Sequence, residues 1–182
     1  MTITLAALAV LTGACIWIYN RLVRDRNQVR NAWSDIDVQL KRRHDLVPQL
    51  VVAVKAYADY ERATLTAVTE LRSRSEGASR LAEKAAFEDE MQVGLHRLIA
   101  LAEDYPDLKA DDNFRQLQTE LTDVEDHLQY ARRFYNGAVR IFNTRIESFP
   151  HLLVARPFGF EQAEFFAVED DDERIAPTVK LR

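Results

Sequence analysis

Four histidines, one cysteine and one carboxylate at a helical core position are the residues that could carry chemistry in this chain. The histidines are His44, His96, His127 and His151. A di-iron bundle needs a Glu three residues before each liganding His. Those positions hold Lys41, Val93, Val124 and Ser148, so the pattern is missing. His44 beside Asp45 is the one pair with metal-ligand chemistry. Glu61 falls on an apolar stripe, where a buried carboxylate with a raised pKa could move protons. The competing reading pairs it with an arginine or sets it at the margin of that face. The five glycines are too scattered for a nucleophile elbow or a phosphate-cradling loop. No catalytic, cofactor-binding or metal residue is assigned, and no small-molecule substrate.

The elements that must position these residues begin with an uncharged segment. All 24 basic and 29 acidic side chains follow position 20. A helix of twenty residues is about 30 Å long, close to a bilayer's hydrocarbon thickness. Trp17 and Tyr19 stand where an interfacial aromatic belt would lie, followed by Arg21, Arg24, Arg26 and Arg30 against a single Asp25. A cleaved signal peptide would carry its positive charge before the apolar run, and here the charge follows it. A lipoprotein signal is loosely matched by Thr12 to Cys15, yet Ile16, Trp17 and Ile18 prolong the run. The expectation is a single-pass anchor over residues 1–20 in a bacterial inner (plasma) membrane. The basic flank puts the N-terminus outside and the rest in the cytoplasm. Lipoprotein modification at Cys15 is the alternative.

Past the anchor the composition is that of a folded helical chain. Over the whole chain hydrophobic residues make up 47%, with 5 Gly and 5 Pro, which argues against disorder and against a loop-rich β fold. One cysteine cannot form an internal disulfide. A net charge of −5 does not suit a nucleic-acid binder. Val29, Trp33, Ile36 and Leu40 form one helical stripe; Val47, Val51, Val54, Ala58, Glu61, Leu65 and Val68 form a second. Leu81, then Met91, Leu95, Leu98, Ala102 and Tyr105, form a third. Phe114, Leu117, Leu121, Val124, Leu128, Ala131, Tyr135, Ala138 and Phe142 form the fourth. Alternating steps of three and four keep one face apolar.

The predicted fold is therefore all-α: an N-terminal transmembrane helix, then an up-and-down bundle of about four long antiparallel helices. A turn is expected near Arg43 to Asp45, because Pro48 suits a first helical turn; a single helix kinked at Pro48 is the alternative. Residues 73–79, around Gly77, read as a loop; Pro106 ends the third helix, Asp111 or Asp112 caps the fourth, and Pro150 closes it. Residues 21–167 form the bundle and 168–182 an acidic, disordered tail.

Two polar-aromatic clusters remain. One runs from Asn31 to Pro48. In the other, Tyr135, Phe142 and Phe149 recur at seven-residue spacing, as do Asn136 and Asn143. Packing with inter-helix hydrogen bonds is one reading, and a partner-binding surface the other.

These clusters carry a resemblance. The chain resembles the LemA family of bacterial membrane proteins through Tyr19-Asn20, Leu22-Val23 and the whole block Asn31 to Pro48. Val54, Tyr57 and Glu61-Arg62 continue it, then Arg132, Tyr135-Asn136, Val139, Asn143, Ile146 and Phe149-Pro150. Ala155, Phe158, Phe160 and Phe165-Phe166 close it. The likeness covers about residues 19–166, with the acidic tail outside its pattern. It implies a single N-terminal span and a cytoplasmic helical bundle, and no reaction. The function expected is a non-enzymatic scaffold or adaptor presenting Tyr135, Asn136, Asn143, Phe149, Phe158, Phe160 and Phe165. Its partners would be the bilayer and a protein, either a second copy or a membrane protein. A regulatory subunit of a membrane protease or transporter is the alternative, and a site at His44 or Glu61 the remote one. A short helix over 161–166 is expected to pack Phe165; without it these phenylalanines become an apolar patch.

Overall fold

The computed structural model describes residues 2–57 and 62–166, and all six of the regular elements in them are helices. The first, α1, runs from Thr2 to Lys55, and α2 from Arg62 to Gly77. Next come α3 (Leu81–Leu101), the short α4 (Pro106–Ala110) and α5 (Asp112–Glu147). A single turn, α6 (Leu152–Ala155), completes the order. Four of the six are long, in an all-α bundle. Glu61 and the acidic tail lie outside the described residues.

The expected turn at Arg43 to Asp45 is replaced by unbroken helix. At 54 residues α1 is about 81 Å long and carries Pro48 in its interior. A proline there has no N–H for the carbonyl four residues back, here that of His44. Arg72 of α2 supplies the missing donor: its Nε gives a 2.8 Å hydrogen bond to the His44 carbonyl. Gln49 Nε2 takes up the neighbouring Asp45 carbonyl at 3.0 Å. The local rule against proline is thus overridden by a contact 28 residues away in sequence. The second stripe breaks instead after Lys55, where the chain reverses into α2. The loop expected over 73–79 is shorter too, because α2 continues to Gly77.

Asp111 caps α5, its Oδ1 accepting from the Phe114 amide at 2.8 Å and its Oδ2 from the Tyr57 hydroxyl at 3.2 Å. The α1–α5 pair is antiparallel along its length. Tyr57 meets Asp111, Arg42 meets Asp123, and Asp25 meets Arg145. Gly94 lets α2 and α3 approach closely, since a Cβ there would lie 2.7 Å from Val68.

Two apolar cores result. The upper one joins Leu46, Val47, Leu50 and Val54 to the α2–α3 hairpin and the first half of α5. The lower one is walled mainly by α1 and α5, through residues such as Leu22, Ile36, Leu128 and Phe142, with Ala85 of α3 at its top. The closing segment seals it with Val154, Ala155, Phe160 and Phe166. Gly159 turns that segment with φ +65°, a conformation glycine adopts without strain. Residues 161–166 are not helical. Phe160 and Phe166, rather than Phe165, are the ones buried.

Candidate functional site

Between the two cores lies a layer of buried polar side chains. On α1 it falls between Leu40 and Leu46, on α3 between Ala85 and Met91, and on α5 between Val124 and Leu128. Arg43 and Glu88 are both 0% exposed. Arg43 Nη1 donates to Glu88 Oε2 at 3.0 Å and to the Glu88 carbonyl at 3.2 Å, while Nη2 pairs with Glu125. His44 Nε2 is 2.6 Å from Glu88 Oε1, which also accepts from the Ser75 hydroxyl. Glu76 Oε1 faces the other ring nitrogen of His44 at 3.6 Å and pairs with Arg72 at 3.0 Å. Both nitrogens of His44 therefore address carboxylates, and Asp45 is exposed away from the layer. Among the described residues no group of three or more His, Cys, Asp or Glu is placed to hold a metal ion.

Burial pushes the Glu88 carboxyl up, but hydrogen bonds from His44 and Ser75 and the charge of Arg43 outweigh it. The carboxyl ends below its ordinary range. A lowered folded-state pKa contributes stability above the unfolded value and loses it as pH falls through the folded value. Stability is thus expected to hold from neutral pH to roughly pH 5 and to drop below it. Glu88→Gln should shrink that acid loss, which unfolding midpoints measured across pH would record.

A second polar arrangement lies along the lower half of α5. Asn143 Nδ2 donates to the Ala163 carbonyl and its Oδ1 accepts from the Ala163 amide, both at 2.9 Å. One heptad earlier Asn136 does the same for Phe166, again at 2.9 Å in both directions. Tyr135 donates its hydroxyl to the Glu164 carbonyl at 2.8 Å, and burial followed by the charge of Glu164 raises its pKa. Two side-chain amides therefore bind the closing segment as a neighbouring strand would. Trp33 stacks near Tyr135 and Phe166, with centroids 5.7 and 5.6 Å away, and Arg132 covers the Phe166 ring at 4.9 Å.

The residues expected at a partner surface thus divide. Tyr135, Asn136, Asn143 and Phe160 are held in contacts within the chain. Phe149, Phe158 and Phe165 are exposed. At the lower end Tyr19 packs on Phe158 at 4.9 Å, and Trp17 meets His151 at 6.4 Å. Of the basic group, Arg21 lies 3.8 Å from Asp25 and Arg26 covers the Phe160 ring, while Arg24 and Arg30 are exposed. Cys15 is exposed on α1. Sequence reasoning missed Arg43, Ser75 and Glu88 as a unit. The signal was available for two of them, because Arg43 lies at core spacing between Leu40 and Val47 and Glu88 three residues before Met91.

Comparison with known proteins gives relatives over most of the chain. Protein LemA of Metamycoplasma hominis is 29% identical over 165 residues, covering 90% of this chain and 75% of its own length. Magnetosome protein MamQ 2 of Paramagnetospirillum magneticum is 23% identical over 192 aligned residues, covering 91% of this chain and 71% of its own length. MamQ of Magnetospirillum gryphiswaldense matches at the same identity and coverage. The LemA family profile matches residues 32–181, starting beyond the apolar segment. It takes in the acidic stretch that the resemblance had set outside the pattern. With most of its length under that match, the chain belongs to the LemA family.

Proposed function

We propose that this chain is a membrane-anchored, non-enzymatic scaffold or adaptor whose bundle stands in the bacterial cytoplasm, with the N-terminus outside. The observation that carries the reading is the continuity of α1. Its apolar window has a mean hydropathy of 1.9 and is only 6% buried within the protein, yet the same helix forms the central wall of the bundle. Whatever fixes that window in lipid also aims the bundle. Arg21, Arg24, Arg26 and Arg30 follow the window at once, which favours the cytoplasmic side for everything after it. Relatives named as magnetosome proteins support the membrane setting of this reading.

Partners meet the part of the surface that the closing segment does not use. Tyr130, Phe134 and Ile141 are exposed on α5, between 51% and 68%, at spacings of four and seven. That strip suits a helix of a second copy or of a membrane protein, so a regulatory subunit of a protease or transporter is the second reading. The test combines protease access with crosslinking through Phe134→Cys in sealed membranes. Spheroplasts should leave the bundle uncut and inverted vesicles should expose it. A crosslinked species should form; cleavage from the outside, or monomer alone, overturns the respective half. Mass spectrometry of the intact chain should show residues 1–14 retained; a chain starting at a lipidated Cys15 would replace the span with a lipid anchor.

A further inference from the structure

At the lower end of α5 lies an open cavity of about 450 Å³ with walls of two kinds. One wall is polar: Arg140, Thr144, Ser148 and His151. Arg140 is exposed and has no ion pair or hydrogen bond among the described residues, whereas the neighbouring Arg145 is committed to Asp25. Ser148 donates to the Thr144 carbonyl at 2.6 Å. His151 Nδ1 is shut off from solvent with no hydrogen-bond partner. Unpaired buried polar atoms are uncommon and call for a partner. The other wall is apolar, formed by Ile141 and Phe149, the latter 77% exposed.

The height of this cavity on the fold narrows its ligand. The unbroken exposed run at the start of α1 ends at Trp17, and burial in the bundle starts at Ile18. The His151 ring lies 6.4 Å from that of Trp17. If residues 1–20 span the bilayer, the cavity opens where hydrocarbon gives way to headgroups. Leu153 and Phe158 are exposed at the same end, as is Arg156. An unpaired guanidinium and a hydroxyl suit a phosphate, and an apolar wall beside them suits a chain attached to it.

We propose that this cavity binds the phosphate headgroup of an anionic phospholipid from the membrane that holds α1. The inference rests on the anchor reading. Arg140 makes charge-assisted hydrogen bonds to the phosphate, with the Thr144 hydroxyl beside it, while the Ser148 hydroxyl stays on the Thr144 carbonyl. Ile141 and Phe149 flank the first part of the acyl chains. The bundle is then fixed to the bilayer at a second point, beside the span, which restrains its tilt.

The test is native mass spectrometry of the full chain in mild detergent, with added phosphatidylglycerol, phosphatidylcholine or inorganic phosphate. Phosphatidylglycerol should be retained in preference to phosphatidylcholine. Arg140→Gln should weaken that retention about fivefold, the value of one arginine at an anionic surface. Arg133→Gln changes a basic residue of α5 outside the cavity and should leave retention intact. Both side chains are exposed, and matching melting curves would confirm that both variants fold. Equal retention of the two lipids, or no effect of Arg140→Gln, overturns the proposal. Displacement by inorganic phosphate would assign the cavity to a free anion and overturn the lipid. Alkaline carbonate extraction keeps the two readings apart. A chain that washes off the membrane fails the anchor reading, whereas a retained chain without lipid preference fails only this one.

Discussion

Replacing Arg43 by methionine is expected to lower the unfolding free energy of the full chain by about 3–5 kcal/mol, the usual cost of removing one partner from a buried ion pair. The geometry explains the size. Arg43 and Glu88 are both 0% exposed, and the guanidinium serves Glu88 at its carboxylate and its carbonyl while pairing with Glu125. Methionine fills much of the volume but leaves Glu88 desolvated, with only His44 and Ser75 to hold it. Lysine would keep the charge without the fork, and should recover part of the loss. Glu88→Gln should cost less than Arg43→Met, because Arg43 retains Glu125.

The double variant Arg43→Met/Glu88→Leu decides whether the layer is valued for stability. Two apolar residues in place of a buried pair are often neutral or stabilising. The double should therefore be more stable than Arg43→Met alone, with a clear coupling energy in the cycle. Urea unfolding in detergent, followed by helical circular dichroism, measures the parent, Arg43→Met, Glu88→Leu and the double. A single Arg43→Met within about 1 kcal/mol of the parent would mean that the layer is relaxed or hydrated, contrary to its burial.

The same layer marks where the sequence was legible and where it was not. The α5 stripe from Phe114 to Phe142 could be read because nearly every core position is apolar. Arg43, Ser75 and Glu88 also occupy core positions, but a polar residue there reads as an interruption or a loop. Only the fold shows that the interruptions on three helices coincide. Pro48 misled for a related reason. Its cost is local, while its remedy, the Arg72 hydrogen bond, comes from another helix. Glu61 could be weighed as a buried acid from its spacing but lies outside the described residues, among which Asp25 and Glu88 are the buried acids. Asn136 and Asn143 were visible as a heptad pair, but their partners are backbone groups, which leave no mark in a sequence.

That last pair gives the sharpest test of how the lower core is closed. Each asparagine makes two hydrogen bonds to one residue of the closing segment. At about 1–1.5 kcal/mol per bond, Asn136→Ala should lower the local stability of the segment by about 2–3 kcal/mol. That is about 30- to 150-fold faster exchange of the Phe166 amide. Asn143→Ala should do the same at Ala163. Aspartate is the sharper probe because it matches asparagine in shape. It accepts from the segment's amide but cannot donate to the carbonyl, and it sets a charge against that oxygen. Asn136→Asp should therefore loosen Phe166 at least as much as Asn136→Ala, an order that loss of packing alone would not give. With both clamps removed, Phe160 and Phe166 lose the tether that holds them on Trp33, Tyr19 and Arg132. The lower half, walled mainly by α1 and α5, then opens while amides around Val124 in the upper core keep their protection. Hydrogen exchange resolved by peptide reads both regions in one experiment. Unchanged exchange at Ala163 and Phe166 in the double variant would show that apolar contact alone holds the segment.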